Sequence, residues 1–372
     1  MVQSWVPQYR RAFYNGLRDR LVAQGIDFHL VHGQAFGAQI HKADTVTLPW
    51  STVVDARTFA VASKTLSWRP RVRQVAEADL IIATQKSSHL ENYAFLARQV
   101  TGRQRFALWG HGQNFQNASP VGEFVKRALS RRVHWWFAYN ELSAAVVRDL
   151  GFPEERITVV NNAIDTHAIH TWVDCTAPSQ LDALRAETGL TGSNIGAFVG
   201  GLYAEKRLPY LVEACDRIRS TTRDFEMLVL GGGPDLAFMQ RAAASRPWLH
   251  VLGPRFDEDK VRLLQLADVM LMPGLVGLAI LDAFALGLPL VTVADSSHSP
   301  EVDYLDDGVN GMMLPRGTAA AAYGDAVAAL LDDRARLRRM AEAGLIDSRR
   351  YTIANMVDRF ADGVVQALDA GF

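Results

Sequence analysis

Short apolar runs alternate with longer stretches of helical periodicity along most of the chain. The first half contains DFHLVHG, DLIIATQ, RFALWGHG and HWWFAYN, and the second half contains GAFVGG, EMLVLGGG, LHVLG, DVMLMPG and LPLVTV. Apolar runs of this length, separated by amphipathic helices, are typical of parallel strands that helices cover on both faces. The pattern predicts an α/β chain with two doubly wound, Rossmann-like domains.

The strand signals stop near Ala163 and resume after Gly192, with polar sequence between them. A chain of 372 residues also exceeds what one core usually supports. We therefore predict an N-terminal domain over 1–165, a linker region over 166–190 and a C-terminal domain over 191–349.

The composition, with 49% hydrophobic and 21% charged residues, is that of a globular protein. Two cysteines, Cys175 and Cys215, are too few for a disulfide framework or a zinc cluster. The sequence has no apolar run of about eighteen residues and no signal-peptide pattern. These features predict a cytoplasmic protein, and a peripheral location at the inner face of the membrane stays open.

Charge is distributed unevenly. Through Asp165 there are 20 Lys and Arg against 13 Asp and Glu, and the remainder has 19 against 27. This is either ordinary variation of surface charge or the mark of an anionic acceptor or membrane surface facing the N-terminal domain. A predicted basic helix with Lys126, Arg127, Arg131 and Arg132 would suit an anionic membrane, although the HWWFAYN run that follows it reads as a buried strand.

Two turns in the second half have features of phosphate-binding loops. Gly277 and Leu278 precede a predicted helix that carries Asp282. Unpaired N–H groups at a helix start are positive, so a diphosphate can bind there while Asp282 reaches a ribose.

The second turn follows the strand in IGAFVGGLYAEKR. Gly200 and Gly201 permit close approach of the backbone to a phosphate, and Lys206 and Arg207 follow to neutralise its charge. The sequence therefore predicts two phosphate-facing loops in one domain.

Taken in order, these motifs resemble the donor site of family 4 retaining glycosyltransferases of GT-B fold, the glycosyl transferases group 1. The family's second acid matches Asp282, and its diphosphate-binding lysine matches Lys206. Further matching stretches are Val159 to Asp165, Leu228 to Pro234 with Gly231 and Gly232, His298 to Leu305 with Glu301, and Asp307 to Leu314. The resemblance implies two domains facing a cleft, with the last helix, about 350–372, crossing back to the N-terminal domain.

The chain departs from the family pattern at two charged positions. Gly274 stands where the family has its first acid, and Gly201 stands where it has an arginine. Asp282 is also one methylene shorter than the usual glutamate. In the family, the first acid contacts the transferred sugar. Its absence here leaves open which sugar is transferred and whether the chain is catalytically active.

In the N-terminal domain, His111 follows an apolar strand at the sheet edge where open α/β folds bind ligands. By the resemblance it contacts the donor sugar or the leaving phosphate, and the alternative is that it only orders its loop. Gln113 and Asn114 suit sugar hydroxyls on the acceptor side, and they are equally ordinary turn residues.

Tyr9 and Arg10 lie in the first loop, which borders the acceptor in GT-B enzymes. An arginine there either binds a phosphate bidentately or begins a solvated helix. Only Met1 to Ser4 precede this loop, where the family has a buried strand. Either that strand is very short or the recorded start is truncated.

The resemblance implies a retaining, metal-independent transferase that moves a sugar from a nucleoside diphosphate to a saccharide, lipid-linked or small-molecule acceptor in cell-envelope polysaccharide or glycoconjugate synthesis. It implies Lys206 and His111 as catalytic residues, no cofactor and no nucleic-acid partner. The acids of Asp257 to Asp259 are interpreted as an N-cap, Asp257, and first-turn residues rather than metal ligands.

Two other functions stay open. One is a non-catalytic subunit that binds a nucleotide sugar and assists another transferase, and the other is a sugar-nucleotide epimerase on the same fold. A nicotinamide dehydrogenase is disfavoured, because GGGPDL lacks the third glycine of the dinucleotide fingerprint.

Overall fold

The computed structural model describes residues 1–34, 45–61, 64–112, 129–295 and 298–371. The chain forms two compact units, Met1–Asn162 with Ile353–Phe372, and Ala163–Thr352. The stretch 166–190, interpreted above as a linker region, folds into helices of the second unit, and the last helix belongs to the first unit.

The first unit is built on a seven-stranded parallel sheet in the order β3-β2-β1-β6-β7-β8-β9, with a separate antiparallel pair, β4 and β5. Its strands are β1 Val2–Gln3, β2 Val31–His32, β3 Thr52–Val53, β4 Arg57–Val61, β5 Lys64–Trp68, β6 Leu80–Thr84, β7 Arg105–Gly110, β8 Trp135–Ala138 and β9 Ile157–Val159. Its first helices are α1 Arg11–Val22, α2 Arg73–Glu77, α3 Glu91–Val100 and α4 Glu141–Asp149, with 3-10 helices at Gln8–Arg10 and Glu154–Arg156.

The strand expected before the first loop is present and very short. Val2 and Gln3 pair with β2 on one side, and Val2 pairs with Ala83 of β6 on the other. These two residues therefore lie in the middle of the sheet.

The second unit is built on a six-stranded parallel sheet in the order β12-β11-β10-β13-β14-β15. Its strands are β10 Asn194–Val199, β11 Phe225–Leu230, β12 Leu249–Gly253, β13 Val269–Leu271, β14 Leu290–Val293 and β15 Gly311–Leu314. Its helices are α5 Thr166–Cys175, α6 Pro178–Thr188, α7 Leu208–Thr221, α8 Leu236–Ala244, α9 Asp257–Leu264, α10 Ala279–Ala285, α11 Ala320–Asp332 and α12 Arg334–Ser348, with 3-10 helices at Ala204–Lys206 and Pro300–Tyr304.

The last helix, α13 Ile353–Asp369, packs in the first unit. The Phe360 ring stacks on Phe137 of β8 with centroids 4.2 Å apart, and it meets Phe13 of α1 at 5.3 Å. All three rings are buried, so α13 completes the core of this unit on one face of its sheet.

Both parallel sheets reverse their strand order at one point, between β1 and β6 in the first unit and between β10 and β13 in the second. Such a reversal opens a crevice at the carboxyl ends of the two strands, where doubly wound folds bind ligands. The predicted fold class, two doubly wound α/β sheets, is confirmed, and each sheet offers one such crevice.

Candidate functional site

Lys206 lies at the carboxyl end of β10, where the second sheet reverses. Its side chain is buried, with 5% exposed, and its Nζ donates a hydrogen bond of 2.6 Å to the carbonyl oxygen of Leu275 after β13. Gly200 has φ 138°, a backbone conformation that favours glycine, and a Cβ there would meet Cε and Nζ of Lys206 at 3.9 Å, an ordinary contact distance. The predicted phosphate-binding lysine therefore lies between the two strands that border the crevice.

Arg207 adds a second cation to the same turn. Its backbone is left-handed, with φ 54°, a conformation that disfavours residues other than glycine. Its Nη1 donates a 3.3 Å hydrogen bond to the carbonyl oxygen of Pro273, and its guanidinium lies 4.3 Å from the centroid of the Tyr210 ring. Lys206 and Arg207 thus both contact carbonyls of the loop after β13.

The two glycines that depart from the family pattern are enclosed by neighbouring chain. A Cβ on Gly274 would lie 2.4 Å from the carbonyl oxygen of Glu205 and 2.5 Å from the carbonyl carbon of Lys206. A Cβ on Gly201 would lie 2.6 Å from Cε1 of Tyr203. The loop after β13 packs directly on the turn after β10, so position 274 has no space for an acid.

His298 holds the same loop in place through hydrogen bonds, a role that the sequence analysis missed. Its Nδ1 accepts a 3.0 Å hydrogen bond from the Val276 N–H, and its Nε2 lies 2.8 Å from the carbonyl oxygen of Val293. Burial lowers the pKa of the imidazole, so the ring is neutral, and Nε2 carries the proton that it donates to Val293. Ser299 adds a hydrogen bond from its N–H to the Val276 carbonyl at 2.9 Å.

Asp282 lies in the first turn of α10 and is 7% exposed. Its Oδ1 accepts a hydrogen bond of 2.6 Å from Nζ of Lys260 in α9. This pair could not be predicted from the sequence, because the residues are 22 positions apart on different helices. One carboxylate oxygen of Asp282, the predicted ribose contact, is therefore bound to the Lys260 ammonium.

The remaining predicted donor residues surround this loop. Among the described residues, no acceptor takes the N–H groups of Gly277 and Leu278. Gly277 lies beside Ser299, whose Oγ would be 3.6 Å from a Cβ at position 277, and Glu301 is buried in the 3-10 helix Pro300–Tyr304.

Gly231 and Gly232 follow β11 and pack against the turn after β10. A Cβ on Gly231 would lie 2.0 Å from the Gly200 carbonyl oxygen, and the N–H of Leu202 donates to the Gly232 carbonyl at 2.8 Å. Close backbone approach accounts for the glycine at 231, and contact of either glycine with a donor stays a prediction.

The N-cap expected at Asp257 is wrong. Asp257 is the first residue of α9, with φ 48°, and Phe256 occupies the cap position without a side-chain hydrogen bond. The carboxylates at the start of this helix nevertheless remain first-turn acids. Within the described ranges, no group of three or more His, Cys, Asp or Glu side chains could hold a metal ion.

In the first unit, His111 lies in a turn held by Gln85, which directly follows β6. The Gln85 Nε2 donates to the Gly112 carbonyl at 2.8 Å, and the Gly112 N–H donates back to Gln85 Oε1 at 3.0 Å. The half-buried His111 ring meets the ring of Tyr139 edge-on, with centroids 4.4 Å apart. The sequence analysis predicted His111 but neither of the residues that position it.

Arg10 is buried, with 4% exposed, which excludes a solvated helix start at this position. Its guanidinium donates to Asn162 Oδ1 and lies 4.8 Å from the Trp109 ring centroid and 5.2 Å from that of Tyr9. Tyr9 itself is 43% exposed. Arg10 and His111 therefore lie in one aromatic cluster at the carboxyl edge of the first sheet.

Some predicted residues cannot be placed. Gln113, Asn114, Lys126 and Arg127 lie outside the described residues. The aromatics of HWWFAYN are buried in β8, as the apolar pattern indicated. Among the helices that the structure describes, none combines the length and the apolar character needed to cross a bilayer.

Residues 193–333 match the family described as Glycosyl transferases group 1. Among curated proteins, the chain is 31% identical to the D-inositol 3-phosphate glycosyltransferase of Nocardia farcinica over 52% of this chain and 44% of that protein. It is 27% identical to the alpha-D-kanosaminyltransferase of Streptomyces kanamyceticus over 50% of each. The matched stretches thus span half or less of these relatives.

The fold is also that of solved structures. The crystal structure of Anabaena HepE in complex with UDP has a TM-score of 0.70 to this chain and 16% sequence identity, and the match covers 98% of both chains. A second crystal structure of HepE holds UDP-glucose. The neighbours are GT-B glycosyltransferases, so the chain has the GT-B fold.

Proposed function

Since residues 193–333 belong to the glycosyl transferases group 1, we propose that this chain is a glycosyltransferase that binds a nucleoside diphosphate sugar in its second unit. The observation that carries the proposal is the buried ammonium of Lys206 at the strand reversal, where a diphosphate would meet a desolvated cation. The HepE complexes with UDP and UDP-glucose, which share the fold, support this class of donor. The acceptor is a saccharide, a lipid-linked sugar or a small molecule.

The proposed reaction is retaining and independent of metal. Lys206 and the N–H groups of Gly277 and Leu278 stabilise the charge that develops on the departing diphosphate. An oxygen of that diphosphate takes the acceptor's proton on the same face, so no side chain acts as nucleophile. Catalysis then comes from positioning and preorganised charge.

The ribose contact proposed for Asp282 uses its second carboxylate oxygen, because Oδ1 holds Lys260. Lys260 keeps the carboxylate in place and offsets its charge near the diphosphate. His111 remains the proposed catalytic contact of the first unit, and Tyr9 and Arg10 remain its proposed acceptor-side residues.

The test is binding of uridine, guanosine, thymidine and adenosine diphosphates, measured by calorimetry and thermal shift. We expect one nucleotide to bind best and Lys206→Ala to weaken it by roughly tenfold to a hundredfold, the effect of losing a charged hydrogen bond. Arg338→Ala, an exposed cation on α12, is the matched control and should bind as the wild type does. No binding by any of the four would overturn the donor site.

The same preparation separates the three functions. Slow release of nucleoside diphosphate from the matching sugar nucleotide in water indicates a transferase. Binding without turnover favours a helper subunit, a function to which the enclosed Gly274 and Gly201 give some weight. A change in the stereochemistry of the donor sugar indicates an epimerase.

A further inference from the structure

The hairpin of β4 and β5 stands apart from the sheet of the first unit. Its strands pair antiparallel with each other, from Arg57 opposite Trp68 to Val61 opposite Lys64, and they form a two-stranded sheet of their own. An isolated hairpin is marginally stable in water unless one face packs against something.

One face of the hairpin is aromatic. Phe59 lies directly opposite Leu66, and Arg57 lies opposite Trp68, so these four side chains project from the same face. Phe59 is 47% exposed and Trp68 is 37% exposed. We call this set of four residues the aromatic face.

The sequence around the aromatic face is strongly basic. From Arg57 to Arg73 it contains four arginines and one lysine and no Asp or Glu. Arg69 is buried and pairs with Glu91 at 3.4 Å, so it anchors the hairpin to α3. Arg57, Arg71 and Arg73 are exposed, and Arg73 pairs with Glu77 at 3.0 Å. Arg57, opposite Trp68, therefore places a positive charge beside the exposed aromatic rings, and Arg71 adds a second exposed cation to the same segment.

The hairpin is fixed at the carboxyl edge of the first sheet. Ser67 donates its N–H to the Ser88 carbonyl at 2.9 Å and accepts from the Leu90 N–H at 2.8 Å, in the segment that follows β6. Nη2 of Arg69 donates to the carbonyl of Ser4, in the loop that leads to Tyr9, at 3.4 Å. The aromatic face thus belongs to the edge that carries the proposed acceptor-side residues.

We propose that the aromatic face binds the surface of an anionic lipid bilayer. Tryptophan and phenylalanine settle at the boundary between headgroups and acyl chains, and clustered arginines are drawn to anionic headgroups. If the proposed function holds, this contact brings a lipid-linked acceptor to the carboxyl edge of the first unit. Binding to the bilayer itself requires no donor.

The experiment uses the full chain without nucleotide and measures co-sedimentation with vesicles of phosphatidylcholine, alone or with one third phosphatidylglycerol. We expect the wild type to bind the anionic vesicles at least tenfold more tightly than the neutral ones. The double variant Phe59→Ser/Trp68→Ser should lose about tenfold of that binding, and Arg57→Gln/Arg71→Gln should lose a similar amount. Val22→Ser/Val100→Ser, which removes exposed aliphatic residues of the same unit, is the matched control.

Tryptophan fluorescence shows whether the Trp68 ring enters the bilayer. Adding anionic vesicles should shift the wild-type emission to the blue, and Trp68→Phe should abolish most of the shift. Absence of wild-type binding, or equal binding by the wild type and the aromatic double variant, would overturn the proposal. So would loss in the arginine variant alone, with full competition by soluble polyglutamate, because that pattern indicates an acidic polymer rather than a bilayer.

The donor site is checked separately on the same variants. Nucleoside diphosphate binding that persists while vesicle binding is lost shows that the two sites are independent. Failure of nucleotide binding alone would refute the proposed function and leave the bilayer contact standing.

Discussion

Position 274 shows most directly how a single residue limits the chemistry of the proposed donor site. Because a Cβ there would lie 2.4 Å from the Glu205 carbonyl oxygen, we expect Gly274→Ala to lower the free energy of unfolding by about 1–3 kcal/mol. Gly274→Glu, which restores the family's acid, should lower the free energy of unfolding further and weaken nucleoside diphosphate binding. Urea unfolding and calorimetry measure the two effects.

The control is Gly232→Ala, where the nearest atom to the new Cβ, in Pro254, would be 3.6 Å away. A Gly274→Ala variant as stable as Gly232→Ala, or a Gly274→Glu variant with tighter nucleotide binding, would contradict the packing described for this loop.

His298 makes the stability of the same loop depend on pH. Burial holds the pKa of its imidazole below the ordinary value of 6.5, so below about pH 6.5 the unfolded chain takes up a proton that the folded chain does not. This group therefore lowers stability as the pH falls from 6.5 and has no effect above it. His298→Asn keeps an acceptor for the Val276 N–H and does not titrate.

We expect unfolding free energies of His298→Asn to fall less steeply than those of the wild type between about pH 7 and pH 5. Urea unfolding at a series of pH values gives both slopes. Other buried histidines affect the two proteins equally, so parallel curves would exclude a contribution from His298.

At the scale of elements, the turn after β7 depends on Gln85 at the end of β6. Gln85→Leu would remove both hydrogen bonds to Gly112, and we expect a loss of about 2–5 kcal/mol in stability, because two peptide groups lose their partners. Sugar transfer should slow, because His111 lies in this turn, while nucleoside diphosphate affinity should not change. The three measured quantities are the free energy of unfolding, the rate of sugar transfer and the nucleoside diphosphate affinity from calorimetry.

Gln24→Leu, on an exposed position of the first unit, is the matched control and should leave all three values unchanged. A transfer rate that survives in Gln85→Leu once the folded fraction is corrected for would mean that the turn does not position a catalytic residue.

The elements that the sequence predicted best are those with a strong local signal. Apolar runs such as RFALWGHG and EMLVLGGG are buried on both faces, so their composition alone identifies β7 and β11. The hairpin of β4 and β5 was missed because its residues are mostly exposed and its alternation is weak.

The arrangement of the candidate site was predictable where residues follow a strand and unpredictable where pairs form across the fold. Lys206 follows β10 by a few positions and could be identified from the sequence. Lys260 contacts Asp282 only because α9 and α10 pack side by side, and Gly274 is required by the backbone of Lys206. Such contacts leave no periodic signal in the chain.

At the scale of the whole molecule, the two units carry net charges of opposite sign. Met1–Asn162 with Ile353–Phe372 contains 21 Lys and Arg against 15 Asp and Glu, and Ala163–Thr352 contains 18 against 25. The basic hairpin lies in the positive unit, and the proposed donor site lies in the negative one. A field of this kind orients the chain as it approaches an anionic surface, and salt weakens it.

The return of α13 to the first unit has a consequence for how the protein is made. The whole second unit precedes Ile353 in the chain, so a ribosome has delivered all of it before Phe360 can stack on Phe137. The second unit can then finish folding first, against the usual N-terminal-first order. Until Ile353–Asp369 has left the ribosome, the nascent first unit exposes the apolar surface on Phe13 and Phe137 that Phe360 later covers.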